Sequence, residues 1–244
     1  MISAVQWVAP GVDSNQVLEA IDRGCGAPGD RFWTLDPVDG TRGFVRGDQY
    51  VVALALIVRG QVQIGVLGCP QLSFTTADSG SLLFAVRDRA AFRAPLTGGE
   101  FTPLRVSSCR EPRLARVLRS VENEHIDVDA FNTVVRTLVV EAPPLLMDSQ
   151  AKHAAIAAGQ AELFVRLPPQ PGSHDKIWDH AAGTIIVEEA GGKVTDVQGA
   201  ELDFSTGRTL ARNYGVVASN GLLHSVVIEA VRGLGLRREN VGSA

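Results

Sequence analysis

Cysteine is scarce in this 244-residue chain, and the three present, Cys25, Cys69 and Cys109, are odd in number and widely spaced. No C-x-x-C pair occurs, so neither a zinc site nor a disulfide framework is expected, and a reducing compartment, the cytoplasm, is the expected setting. The five histidines make no transition-metal spacing with those cysteines. An excess of either charge is also lacking: 23 Lys and Arg against 27 Asp and Glu leave a net charge of −4. That balance offers no basic groove for nucleic acid and no cationic face for a membrane. No apolar run approaches a membrane span, and the N-terminus shows neither a signal-peptide nor a transit-peptide pattern. Internal repeats and low-complexity tracts are absent too. What remains is 45% hydrophobic and 20% charged residues, a folded chain long enough for one large domain or two lobes sharing a core.

The most informative stretch is Trp33-Thr34-Leu35-Asp36-Pro37-Val38-Asp39-Gly40-Thr41-Arg42-Gly43-Phe44. Phe32 to Leu35 read as the end of a buried strand. Two carboxylates follow three positions apart, with Pro37 holding Asp36 extended and Gly40 and Gly43 permitting a sharp turn and close approach of a ligand. Acids pinned on one turn repel unless a cation lies between them. Hard oxygen donors on a stiff loop suit Mg²⁺, which takes carboxylates, waters and substrate phosphates. An ordinary Asx-rich turn would place the same two residues with no metal at all.

Downstream, Gln49 to Val58 is an apolar run typical of a central strand. Arg59-Gly60 makes a tight turn and Val62 to Leu67 returns. Phe74 to Ala77, Ser81 to Arg87 and Thr102 to Val106 are further strands, and Arg93 to Phe101 is a loop containing Pro and Gly. Before the turn, Ser14 to Asp22 forms a short helix with Val17, Leu18 and Ile21 on one face. A boundary near Val106 divides a mostly antiparallel lobe, 1–106, from a second lobe, 107–244.

In the second lobe Arg113 to Val121 and Leu138 to Val140 read as strands, with a helix over Val128 to Thr137 between them. Ser149 to Gly159 is a helix with Ser149 as N-cap and Gly159 as stop. Ala161 to Leu167 is a strand, Pro168 to His174 a loop, Trp178 to Ala190 a helix, Val194 to Val197 a strand, and Gly221 to Gly233 a last helix. Alternating helices and strands imply mixed, layered α/β packing. Asp179 opens its helix, where the dipole would favour an acid without any metal. Ser149 and Lys152 share a helix face. A Ser-x-x-Lys spacing also serves acyl-enzyme chemistry, but no Lys-Thr-Gly partner exists here. Lys152, Arg166 and His125 each admit a plain surface reading, whereas His153 and His224 read as satisfied packing groups and His180 as facing away from Asp179.

The string D-P-V-D-G-T-R-G-F at 36–44 and the string W-D-H-A-A-G at 178–183, followed by E-E-A-G-G-K-V-T-D, resemble the two signatures of the inositol-monophosphatase-like, Mg²⁺-dependent, lithium-sensitive phosphatases. From Phe32 through G-D-Q-Y-V-V-A-L-A-L-I to Cys69-Pro70 the match is with the 3′(2′),5′-bisphosphate nucleotidase branch. The resemblance implies a sugar-phosphatase-like α-β-α-β-α fold of two lobes. It implies that Asp36, the Val38 carbonyl, Asp39 and, from across the cleft, Asp179 are metal ligands, and that Thr41 orients the attacking water. Gly40 and Thr41 would offer N–H groups to phosphate, while His125, Ser149, Lys152 and Arg166 would bind the nucleotide. The implied reaction is hydrolysis of the 3′-phosphate of adenosine 3′,5′-bisphosphate, and of its sulfated relative, in a monomer that takes small nucleotides. An inositol or sugar phosphate substrate, or a shortened paralogue that binds nucleotide without turnover, are the alternatives.

One departure stands out. The family carries a longer helical region before its first signature, with a metal-bridging glutamate and an upstream acid that activates water. Asp13, Glu19, Asp22 and Asp30 match neither, so a first lobe lacking most of its N-terminal helices is expected.

Overall fold

A computed structural model describes residues 2–74, 80–122, 127–167 and 173–235. His125, most of the strand expected at Phe74 to Ala77 and most of the loop expected at Pro168 to His174 lie outside the described residues.

Two short helices come first, α1 (Ile2–Val8) and α2 (Ser14–Arg23). α2 begins on a capping box, in which Asp13 accepts from the Gln16 N–H and the Gln16 side chain accepts from the Asp13 N–H, each at 2.9 Å. Its expected apolar face is only partly covered: Val17 is buried, whereas Leu18 and Ile21 stay exposed.

An antiparallel sheet follows in simple chain order: β1 (Arg31–Asp39), β2 (Val51–Val58), β3 (Gln61–Cys69), β4 (Ser81–Val86), β5 (Ala90–Pro95) and β6 (Thr102–Pro103). The helix α3 (Thr41–Arg46) sits between β1 and β2. β2 and β3 are joined at Arg59 and Gly60, both with positive φ (50° and 78°), the two-residue turn whose twist matches paired strands. Two readings are corrected here. Arg93 to Pro95 belong to β5, because β4 offers a partner edge that pairs Arg93 with Leu83. β1 is not a buried strand: among the described residues it is the sheet's edge and pairs with β2 alone, so alternation turns Thr34 inward and leaves Trp33 and Leu35 each 53% exposed.

The second sheet has the order β10-β11-β9-β7-β8. Its members are β7 (Val117–Arg119), β8 (Leu145–Leu146), β9 (Leu163–Arg166), β10 (Lys193–Thr195) and β11 (Val216–Ser219). β7 runs parallel to β8 and β9, and the other pairings are antiparallel. The helices of this half are α4 (Val128–Thr137), α5 (Ala151–Ala157), α6 (Ala181–Glu189) and α7 (His224–Arg232). The strand expected over Arg113 to Val121 shrinks to β7, because Pro112 opens a 3-10 turn through Leu114. Leu138 to Val140 is no strand: Leu138 and Val140 donate back to Val134 and Val135, closing the end of α4. β11 and α1 were not anticipated, since a four-residue apolar run and a short terminal helix carry little periodicity.

α5 and α6 lie between the sheets. Ile57, Leu67 and Leu83 of the first sheet meet Ile156, Ile185 and Ile186 of these helices, which meet Phe164, Val216 and Ala218 of the second. Gly65 marks the tightest contact: a Cβ there would fall 2.5 Å from Ile185 Cγ2, so α6 rests on the β3 backbone itself. Beyond the second sheet, Phe131, Val134, Val227 and Val231 of α4 and α7 cover Val117, Val165 and Val217. The layers thus run α-β-α-β-α, and the sheets divide in the chain between Pro103 and Val117. The outermost layer is thin, for a groove of about 980 Å³ separates α2 from β1 and is lined by apolar groups including Val17, Ile21, Trp33 and Trp178.

Candidate active site

The acidic turn ends β1 and enters α3 through Gly40, whose φ of 84° and close approach to Ser149 exclude a side chain. Asp36 Oδ1 accepts from the Val38 N–H at 3.1 Å, and the pairing register with β2 shifts between Asp36 and Asp39, as an irregular strand end does. The Thr41 hydroxyl donates to the Val38 carbonyl at 3.2 Å. With its proton committed there, its lone pairs are left to accept from a water.

The opposite wall comes from the second half. Asp179 lies in a 3-10 turn, Ile177–Asp179, and α6 starts only after His180. The continuous helix expected from Trp178 is therefore broken at this residue, and Asp179 precedes the helix instead of occupying its first turn. Ser149 is likewise not the N-cap of α5. It holds a left-handed φ of 62°, and Gln150 takes the cap position. The Ser149 hydroxyl accepts from the Ala151 N–H at 3.2 Å.

A cavity of about 360 Å³ joins these walls, and Asp39, Gly40, Thr41, Ser149, Lys152, Arg166 and Asp179 all line it. Asp36 opens instead onto the apolar groove beside β1. Burial raises each of the three acids above the ordinary carboxylate range, and their mutual repulsion adds to it: Asp36 feels Asp39, Asp39 feels Asp179, and Asp179 feels Asp36. Among the described residues no three or more His, Cys, Asp or Glu side chains stand close enough to hold a metal by themselves. The donor chemistry nonetheless fits a hard divalent cation. The three partly buried carboxylates repel one another at an electrostatic cost that such an ion would relieve, and waters and phosphate oxygens would complete its coordination.

Lys152 is not a surface residue: it is 5% exposed, with Nζ donating to the Met147 carbonyl at 3.2 Å and lying 5.1 Å above the Phe164 ring. Burial lowers it to about 8, against the pull of Asp39. Arg166 donates through Nε to Asp175 at 2.6 Å. Burial works to raise Asp175, but His180 and Arg166 outweigh it and hold that carboxyl well below the usual range. Asp175 in turn fixes the angle from which the guanidinium enters the cavity.

Several residues of the site went unread in the sequence. His153 and His180 both line the cavity, a place that their sequence readings, a packing group for His153 and a side chain facing away from Asp179 for His180, did not give them. His153 is buried as expected but not satisfied, for neither ring nitrogen has a hydrogen-bond partner among the described residues. Its burial, then His180 and Lys152, keep it neutral by lowering it well below the ordinary imidazole range. His224 is satisfied, between Thr195 at 2.9 Å and Ser219 at 2.8 Å. Arg46 at the end of α3 joins Glu122 at 2.5 Å and Asp148, tying the acidic turn to the segment that carries Ser149. Gln150 donates from its backbone N–H to Asp39 Oδ2 at 2.7 Å. Charged and amide residues flanking a helix start were the available signal, and it was too common to single them out.

Residues 14–236 match the family model described as the inositol monophosphatase family, and the chain belongs to that family. It is 42% identical over 228 residues to a 3′(2′),5′-bisphosphate nucleotidase of Oryza sativa, covering 88% of this chain and 63% of that one. It is 40% identical over 236 residues to a protein of the same name from Emericella nidulans, covering 88% and 67%. The chain thus spans just under two thirds of the rice relative's length. Among solved structures, an IMPase of Thermotoga maritima superposes with a TM-score of 0.66 at 28% identity, over 85% of this chain and 71% of that one. An inositol monophosphatase from Anabaena shares the fold, with a TM-score of 0.67 at 20% identity over 99% and 89%.

Proposed function

We propose that this chain is a Mg²⁺-dependent phosphomonoesterase that removes the 3′-phosphate of adenosine 3′,5′-bisphosphate, giving AMP and phosphate. The observation that carries the reading is one cavity lined by acids from both halves, Asp39 and Asp179, together with Ser149, Lys152 and Arg166. Relatives named 3′(2′),5′-bisphosphate nucleotidase at 40–42% identity favour that substrate over inositol phosphates.

Asp36, Asp39, Asp179 and the Val38 carbonyl would hold the cation, which when bound supplies Lewis acidity and a lowered water pKa. Thr41 accepts a hydrogen bond from the attacking water and fixes its direction toward phosphorus. The N–H groups at Gly40 and Thr41 meet phosphate oxygens, and Lys152 and Arg166 bind the remaining negative charge, Lys152 as a point charge and Arg166 as a fork. A cationic Lys152 is required for this, and an amine lowered to about 8 still carries its proton at pH 7 and gives it up as pH climbs past that value.

The test is phosphate release from adenosine 3′,5′-bisphosphate, inositol 1-phosphate and fructose 1,6-bisphosphate, with and without Mg²⁺ and Li⁺. Preference for the adenine ester, lost with chelator and inhibited by Li⁺, is expected; equal rates on all three esters would remove the nucleotide assignment. A second reading, nucleotide binding without turnover, is favoured by the absence of any three acids at metal-holding spacing among the described residues. Binding by calorimetry with no phosphate released would select it.

A further inference from the structure

Gln150 is 1% exposed and contacts both halves of the acidic site. Its backbone N–H and its Nε2 both donate to Asp39 Oδ2, at 2.7 and 3.3 Å. Nε2 also donates at 2.9 Å to the carbonyl of Trp178, the residue before Asp179. Its Oε1 accepts at 2.8 Å from the N–H of Gly183, in the first turn of α6. The amide has two donors and one well-used acceptor, and all are engaged on three chain segments. Only a primary amide at this reach meets those demands. A glutamate would turn an acceptor toward Asp39 and a carbonyl, and an apolar side chain would leave buried groups unpaired.

We propose that Gln150 is a positioning residue, which sets the separation of Asp39 from Asp179 across the cleft and so tunes the site's affinity for a divalent cation. This inference rests on the metal-dependent reading above. Gln150 touches none of the reacting atoms. It acts by holding one acid directly and the backbone of the other through Trp178. Groups that orient metal ligands in this way commonly change metal affinity about 10–100-fold when removed.

The experiment is thermal denaturation of the full chain at increasing Mg²⁺, with phosphate release measured over the same range. For Gln150→Met, close to the native shape but without the amide, the Mg²⁺ concentration giving half-maximal stabilisation is expected to rise about 10–100-fold. The half-activating concentration should rise in step, and KM at saturating Mg²⁺ should hold. Gln150→Asn, an amide on a shorter stem, should fall between. A packing role alone would lower the melting temperature equally at every Mg²⁺ concentration and leave the half-point where it is in the wild type; that pattern overturns the inference. If Gln150→Met does not fold, Gln150→Asn decides by the same criterion. Wild-type protein that shows no Mg²⁺ response defeats the functional reading itself, and the positioning role with it.

Discussion

The two sheets bury their faces very differently. The second is sandwiched, with α5 and α6 on one side and α4 and α7 on the other, and every residue of β11 is buried. The first is covered by α6 on one face, while its outer face leaves Trp33, Leu35 and Val52 exposed beside a groove that α2 only borders. The acidic turn is attached to this thinly covered sheet, and its partner residues Gln150, Lys152 and Asp179 to the central helical layer. One wall of the site is therefore set by close packing, and the other by a turn tied across the cleft through Gln150 and Arg46. Local stability is expected to be lowest where apolar packing is sparsest. A substitution's effect should depend on which wall it strikes.

The largest effect is expected at the turn. Asp39→Asn should cut phosphate release roughly a thousandfold, since charge stabilisation by a bound cation is worth several kcal/mol at about 1.4 kcal/mol per decade. The same change removes a raised, repelled carboxylate, so the variant should melt higher than wild type in chelator. A lower melting point would show that Asp39 supports the fold.

The core shared by both sheets comes next. Leu67 is fully buried between them, and Leu67→Ala should cost about 2–5 kcal/mol in denaturant unfolding. On the outer face, Trp33→Thr should stay within about 0.5 kcal/mol. A cost at Trp33 equal to that at Leu67 would erase the contrast between the faces.

Lys152 sharpens the comparison from the rigid wall. Its folded-state value is depressed to about 8, so raising pH through that region removes the cation, and affinity for inorganic phosphate should fall as pH climbs from 7 to 9. Lys152→Met should bind phosphate about tenfold more weakly at pH 7, from the loss of a charge-assisted hydrogen bond, and should lose the pH dependence. An unchanged slope in the variant would assign it elsewhere. The outer-face change at Trp33 remains the smallest of the four.

Much of this was legible along the chain. Asp36, Asp39 and Gly40 stand in one short string, and the Asp179 motif in another, because turn chemistry and metal donors are local patterns. The hairpin at Arg59-Gly60 was readable for the same reason. Gln150 was not: its bond to Asp39 spans 111 positions, and nothing in local periodicity reports which buried amide meets which acid. The exposure of β1 was also hidden, since an apolar run reads alike at a sheet's centre and at its edge. The break at His180 escaped notice because an acid just ahead of an Ala pair reads as the ordinary first turn of one helix.

The account depends on acids from both halves acting as one cation site. Calorimetric titration of wild type and Asp179→Asn with Mg²⁺, in the presence of inorganic phosphate, addresses that directly. Saturable binding in the wild type and affinity weakened at least about tenfold in the variant is the predicted result. Superimposable isotherms would contradict it, because the cation would then owe nothing to the residue across the cleft.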